Sequence, residues 1–183
     1  MVSAEEIPEY IRVPYILSGY RVGGTMKEAM FSLFQWHNET MNAWTLLIIP
    51  IVSLILYGLY NEGEIIMFLL PFHTLIQIPC SVGNHLFRGM DEVTHTLWRN
   101  LDLMSIHMAS WLVCVAFSYY VYSRIAYYSI ISIEFCISGY LILMEYRHYL
   151  HVKRGEKPVW NRLLKTCLVG IEVGVCMFPL FRG

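Results

Sequence analysis

Ser81, His85 and Asp102 are the residues of this chain whose types and spacing could do chemistry. They lie in the stretch SVGNHLFRGMDEVTHTLWRNLD, residues 81–102. Ser81 and His85 are one helical turn apart inside an apolar segment, and Asp102 opens the next apolar segment. A hydroxyl, an imidazole and a carboxylate in or near lipid are costly unless they bind something. Imidazole and carboxylate are common donors to zinc, so a metal-centred site is the natural candidate. Zinc on histidine brings the pKa of its bound water to ~7. Asp102 would orient that water or take its proton, and Ser81 would hydrogen-bond the water or a substrate carbonyl. The competing reading of Asp102 is a carboxylate favoured at a helix N-terminus by the dipole.

A catalytic zinc site generally needs three protein ligands and one open position. His148 and His151, in HYLH, are the remaining candidates, on one helical face. They read first as interfacial histidines of a basic loop. His95 and His107 read as structural. His73, Gln77, Ser81 and His85 recur every fourth residue, a stripe that should face the bundle interior or a wet cavity. Glu134 and Glu172 fall in the middle of apolar runs and must pair with something.

The elements that must position these groups are membrane helices. Of 183 residues, 56% are hydrophobic and only 15% charged, against about 25% charged in a soluble domain. Five apolar segments, roughly 44–60, 64–87, 101–122, 125–146 and 161–180, are long enough to cross a bilayer. The fold class is therefore an all-α, multi-pass helical bundle. Residues 1–43 form an N-terminal segment and 44–183 the transmembrane domain. Met26, Met30, Leu33, Phe34 and His37 recur at helical spacing, which predicts an amphipathic interfacial helix over 22–43. Pro79 is expected to kink the second span.

Arg147, Lys153, Arg154, Lys157 and Arg162 follow the fourth span, and Arg88 and Arg99 follow the second. The connection at 61–64 carries no basic residue. The positive-inside rule places these basic connections and the N-terminus in the cytoplasm. The first residues lack a basic stretch followed by an apolar one, so no cleavable signal is expected. The net charge of −1 gives no reason to expect a nucleic-acid partner. All five cysteines lie in apolar runs, which argues against a disulfide framework.

Two blocks of sequence resemble the progestin and adipoQ receptor family. The first is Gly19-Tyr20-Arg21 with SLFQWHNETMNAWT at 32–45; the second is Ser81-x-x-x-His85-x-Phe87 followed by Leu101-Asp102. The resemblance implies a multi-pass receptor in the plasma membrane or an endomembrane, with a cytoplasmic N-terminus. By the same resemblance His85 is a direct zinc ligand, Asp102 touches the metal through water, and Ser81 lies beside them. The implied chemistry is hydrolysis of a lipid amide such as ceramide, coupled to signalling. The family usually has seven spans, and its other two zinc histidines stand in a His-x-x-x-His motif on the last one. That motif does not occur in this chain. The competing expectation is a non-catalytic membrane protein that pairs with itself or a relative, using Gly170 and Gly174 for close helix approach.

Overall fold

A computed structural model describes residues 1–60, 68–156 and 162–177. Residues 64–67 of the expected second span, and 161 and 178–180 of the fifth, lie outside the described residues. Six α-helices are described: α1 (Met26–Phe31), α2 (Thr40–Tyr60), α3 (Leu69–Phe87), α4 (Glu92–Val121), α5 (Arg124–Lys153) and α6 (Arg162–Met177). Two short strands, β1 (Val2–Ser3) and β2 (Ser18–Tyr20), pair antiparallel ahead of them.

The interfacial helix expected over 22–43 is shorter and broken. Thr25 and Glu28 form a capping box that starts α1. A 3-10 turn at Ser32–Phe34 follows, and α2 begins at Thr40, four residues before the expected span. The break has a local cause. Thr40 Oγ1 accepts from the His37 amide at 2.9 Å and donates to the Gln35 carbonyl at 2.6 Å. The His37 ring accepts from the Glu39 amide at 3.2 Å. Side chains thus take backbone groups that a continuous helix would have used.

Helices α2, α3, α4 and α5 pack in chain order, and α6 lies against α4 and α5. Between α2 and α3 the core is Ala43, Val82 and Leu86. Between α3 and α4, Trp98 stacks on Phe87 at 4.6 Å and covers Gly83. Asp91 caps α4 by accepting from the Thr94 amide. Ile48, Ile49, Ile51, Val52, Ile55 and Leu56 of α2 are exposed, whereas Glu134, Glu145 and Glu172 are buried. Apolar outside and polar inside is the arrangement a lipid solvent demands. Helices α2, α4 and α5 are long and apolar enough to cross a membrane. At 1.5 Å per residue, a 30-residue helix such as α4 is about 45 Å long, more than the hydrocarbon core requires.

Candidate site where the helices meet the N-terminal segment

The site begins with the chain ahead of α1. Tyr20 is buried with Ile7 and Ile11. Its hydroxyl accepts from the Val13 amide at 3.0 Å and sits 3.1 Å from the Val13 and Ile16 carbonyls, closing residues 13–20 into a loop. Arg21 then reaches the end of α3, where its guanidinium donates to the Leu86 carbonyl. The Gly23 amide donates to the Gly89 carbonyl at 2.6 Å, and Tyr10 donates to the Met90 carbonyl at 3.0 Å. Gly89 has no room for a Cβ, because the Arg21 carbonyl occupies that place. The N-terminal segment is thereby strapped across the α3–α4 turn.

The strap and the start of α2 deliver Glu39 to α3. Glu39 is buried and takes up both of its carboxylate oxygens. Asn38 Nδ2 donates to Oε1 at 3.1 Å, and Asn42 Nδ2 donates to Oε2 at 2.8 Å. His85 Nδ1 lies 2.7 Å from Oε2, and Arg88 Nη1 is 3.4 Å from Oε1. Burial pushes the Glu39 carboxyl up, but the His85 and Asn42 hydrogen bonds and the Arg88 charge outweigh it and hold the carboxyl below its usual range. A carboxylate at Nδ1 fixes the proton there and leaves Nε2 of His85 for any further partner. A void of about 10 Å³ lies among Arg21, His37, Glu39, His85 and Arg88, the room of a single water.

Asp102 meets α3 one residue from His85. Asn84 Nδ2 donates to Asp102 Oδ2 at 2.8 Å, while Oδ1 is buried without a hydrogen-bond partner. Ser81 is buried one turn earlier on α3. The side-chain hydrogen bonds described for Asp102 and His85 run to Asn84 and Glu39 respectively. His148 faces Asn100, whose Nδ2 is 3.0 Å from His148 Nδ1 and also donates to the Glu145 carbonyl. His151 Nδ1 lies 2.6 Å from Glu156 Oε2 at the exposed end of α5. Among the described residues no three His, Cys, Asp or Glu side chains come together in a way that could hold a metal ion. The described donors therefore do not fit zinc by themselves, since a protein zinc site asks for at least three.

Spacing alone did not reveal Glu39 as the partner of His85. A second polar group is also built deeper in the bundle. His107 Nδ1 lies 2.7 Å from Glu172 Oε2, and Ser138 Oγ donates to Glu172 Oε1 at 2.8 Å. Glu172 thus has the partner its position required, and His107 supplies it. Glu134 is fully buried, with neither carboxylate oxygen hydrogen-bonded. Lys165 pairs with Glu145 instead of either carboxylate.

A bundle of apolar helices with its acidic and imidazole groups turned inward is an integral membrane protein. Comparison with known proteins names the kind. The chain is 24% identical to human membrane progestin receptor beta across 98% of its own length and 54% of the receptor's. The mouse protein of that name is 28% identical over the same shares. A shorter stretch of 49 residues is 45% identical to heptahelical transmembrane protein 1 of Arabidopsis thaliana, covering 26% of this chain and 15% of the plant protein. This chain is homologous to the membrane progestin receptors and to the heptahelical proteins of the progestin and adipoQ receptor family. It spans about half the length of the membrane progestin receptors beta that it matches. No family model and no solved structure matches it.

Proposed function

We propose that this chain is a receptor-type membrane protein that binds an apolar ligand of the progestin kind, with its N-terminus in the cytoplasm and α2 to α6 as its five spans. The observation that carries this reading is the alignment with membrane progestin receptor beta over 98% of the chain. The basic residues after the second and fourth spans support the orientation. The Glu39–His85–Arg88 node, in this reading, is a cytoplasmic fastening between the N-terminal strap and the spans. Membrane lipid surrounds the bundle, and a second copy or a full-length relative is the expected protein partner. Tritiated progesterone applied to membranes carrying the chain tests the proposal. Saturable binding displaced by unlabelled steroid is expected. Binding equal to that of membranes without the chain, with the chain present by immunoblot, overturns it.

A second reading is a zinc-dependent hydrolase of a lipid amide. One observation favours it: the partnerless Oδ1 of Asp102, adjacent to the residue that precedes His85. It needs further imidazoles, for which a second copy of the chain is the candidate source. Elemental analysis of the purified chain decides it. About one zinc per chain, lost in His85→Ala, supports the reading; no zinc ends it.

A further inference from the structure

Helix α5 is longer than a membrane requires. Its 30 residues reach about 45 Å, whereas roughly 20 residues cross the hydrocarbon core. The apolar run 125–146 fills that core, so the turns from Arg147 to Lys153 stand among the headgroups. Arg99 of α4 is brought to the depth of Arg147. The next residue, Asn100, donates to the Glu145 carbonyl at 2.8 Å and faces His148 at 3.0 Å. Arg99, Arg147, Lys153 and Arg154 are all exposed. None of these four is ion-paired among the described residues. The neighbouring carboxylates are engaged elsewhere, Glu145 with Lys165 and Glu156 with His151. The end of α5 is also closed. The Glu156 amide returns to the His151 carbonyl at 2.9 Å, and Gly155 takes the left-handed φ of +70° that this turn needs. Lys153 is held 5.9 Å over the Tyr149 ring. The charges therefore sit on a fixed helix end.

We propose that the basic end of α5, together with Arg99, binds the headgroup of a membrane lipid that carries phosphomonoester groups, a phosphatidylinositol bisphosphate being the type. Depth selects it. Arg147 and Arg154 share one face of the helix and stand about 10 Å apart along its axis. Arg99 and Arg147 lie at the level of the phosphodiester that every glycerophospholipid has. Lys153 and Arg154 lie further out, where phosphatidylserine brings a carboxylate already offset by its own ammonium. A phosphomonoester there brings a charge of about −1.5 to −2 at neutral pH and accepts paired hydrogen bonds from a guanidinium. The helix dipole favours cations in the last turn. That accounts for Lys153 and Arg154 but not for Arg147, two turns earlier. Basic residues that only orient a chain need number, not two depths on one face. That the site meets the cytoplasmic leaflet, where anionic lipids gather, rests on the orientation proposed above; the contact itself does not.

The test is native mass spectrometry of the full chain in detergent micelles, titrated with phosphatidylinositol bisphosphate, phosphatidylserine and inositol trisphosphate. The bisphosphate lipid is expected to bind at least about tenfold more tightly than phosphatidylserine, each basic residue contributing about fivefold. Arg147→Gln and Arg154→Gln should each weaken it by that factor. Arg124→Gln removes the same charge at the opposite end of α5 and should leave binding unchanged. Equal affinity for the two lipids overturns the proposal, and so does a loss in Arg124→Gln as large as in Arg147→Gln. Inositol trisphosphate bound as tightly as the lipid overturns a membrane occupant and assigns the charges to a soluble phosphate. Where a variant fails to accumulate, the ratio between the two lipids decides alone. Micelles have no sides, so these affinities test the contact and not the orientation. Accessibility of a tag at the end of α5 in intact cells tests the orientation; an exterior tag overturns the cytoplasmic placement and leaves the contact standing.

Discussion

His85 is held by Glu39, whose Oε2 lies 2.7 Å from Nδ1 across 46 residues of chain. This contact joins the two sequence blocks that resemble the progestin and adipoQ receptors. The first block, at the start of α2, supplies the carboxylate; the second, near the end of α3, supplies the imidazole. Glu39 is oriented by Asn38 and Asn42 on its own segment, and His85 by its turn of helix.

Removing the Glu39 carboxylate should therefore loosen the α2–α3 contact. Glu39→Ala leaves Arg88 and His85 without their acceptor, and hydrogen bonds to charged groups are worth roughly 1.5–3 kcal/mol. Both partners are partly exposed, so a loss of about 2 kcal/mol is expected, read as a lower unfolding temperature in detergent. Glu39→Gln keeps an acceptor oxygen for His85 and should cost less. Equal unfolding temperatures for Glu39→Ala and the unsubstituted chain would refute the role given to Glu39.

The same region should weaken in acid, in two stages. Burial, then the charge of Arg21, lowers the His37 imidazole below its ordinary 6.5. Its neutral ring accepts from the Glu39 amide and donates from Nε2 to the Ser32 carbonyl. A histidine with a depressed pKa stabilises the fold fully above 6.5 and progressively less as pH falls beneath it. Glu39 has a carboxyl pKa held below 4.5, so its contribution is present above 4.5 and lost as pH drops through the lower folded value. Unfolding temperature against pH should thus decline first below 6.5 and again below 4.5. His37→Gln should shrink the upper stage and Glu39→Gln the lower. A chain that becomes more stable on acidification from neutrality contradicts both assignments.

Much of the architecture was legible from apolar runs, because lipid leaves a helix no other place to put its backbone. The polar stripe was legible too: four-residue spacing in the second span placed Ser81 and His85 on one face, and both are on α3. Partners were not legible. Periodicity tells which way a side chain points along its own helix, not what a distant segment brings to it. Glu39 and His85 are 46 residues apart, and His107 and Glu172 are 65 apart. The expected interfacial helix failed at Gln35–Glu39 for a different reason. Its apolar spacing was helical, but His37 and Thr40 compete for the backbone, and their bonds end the helix there.

Gly83 offers a test of the α3–α4 packing. A Cβ there would fall inside the Trp98 ring, which is itself stacked on Phe87. Gly83→Ala must push a large aromatic out of a close fit, at a cost of about 1–3 kcal/mol. In a Trp98→Leu background the same substitution should cost nearly nothing, since the ring it collides with is gone. A double-mutant cycle in detergent measures the difference. Additive effects would mean that Trp98 does not lie over Gly83.

The two buried carboxylates should answer substitution differently. Glu172 is satisfied on both oxygens, by His107 and Ser138. Glu172→Leu leaves those two buried groups without their acceptor, and each unsatisfied group costs roughly 1–3 kcal/mol. Glu134 is equally buried, but neither of its oxygens has a hydrogen bond. Glu134→Met removes an uncompensated polar group and fills similar space with apolar atoms, so it should be neutral or raise the unfolding temperature. The contrast does not depend on the absolute size of either effect, only on which carboxylate has partners. A Glu134→Met chain destabilised as much as Glu172→Leu would show that Glu134 binds a proton, ion or ligand that stabilises the folded bundle.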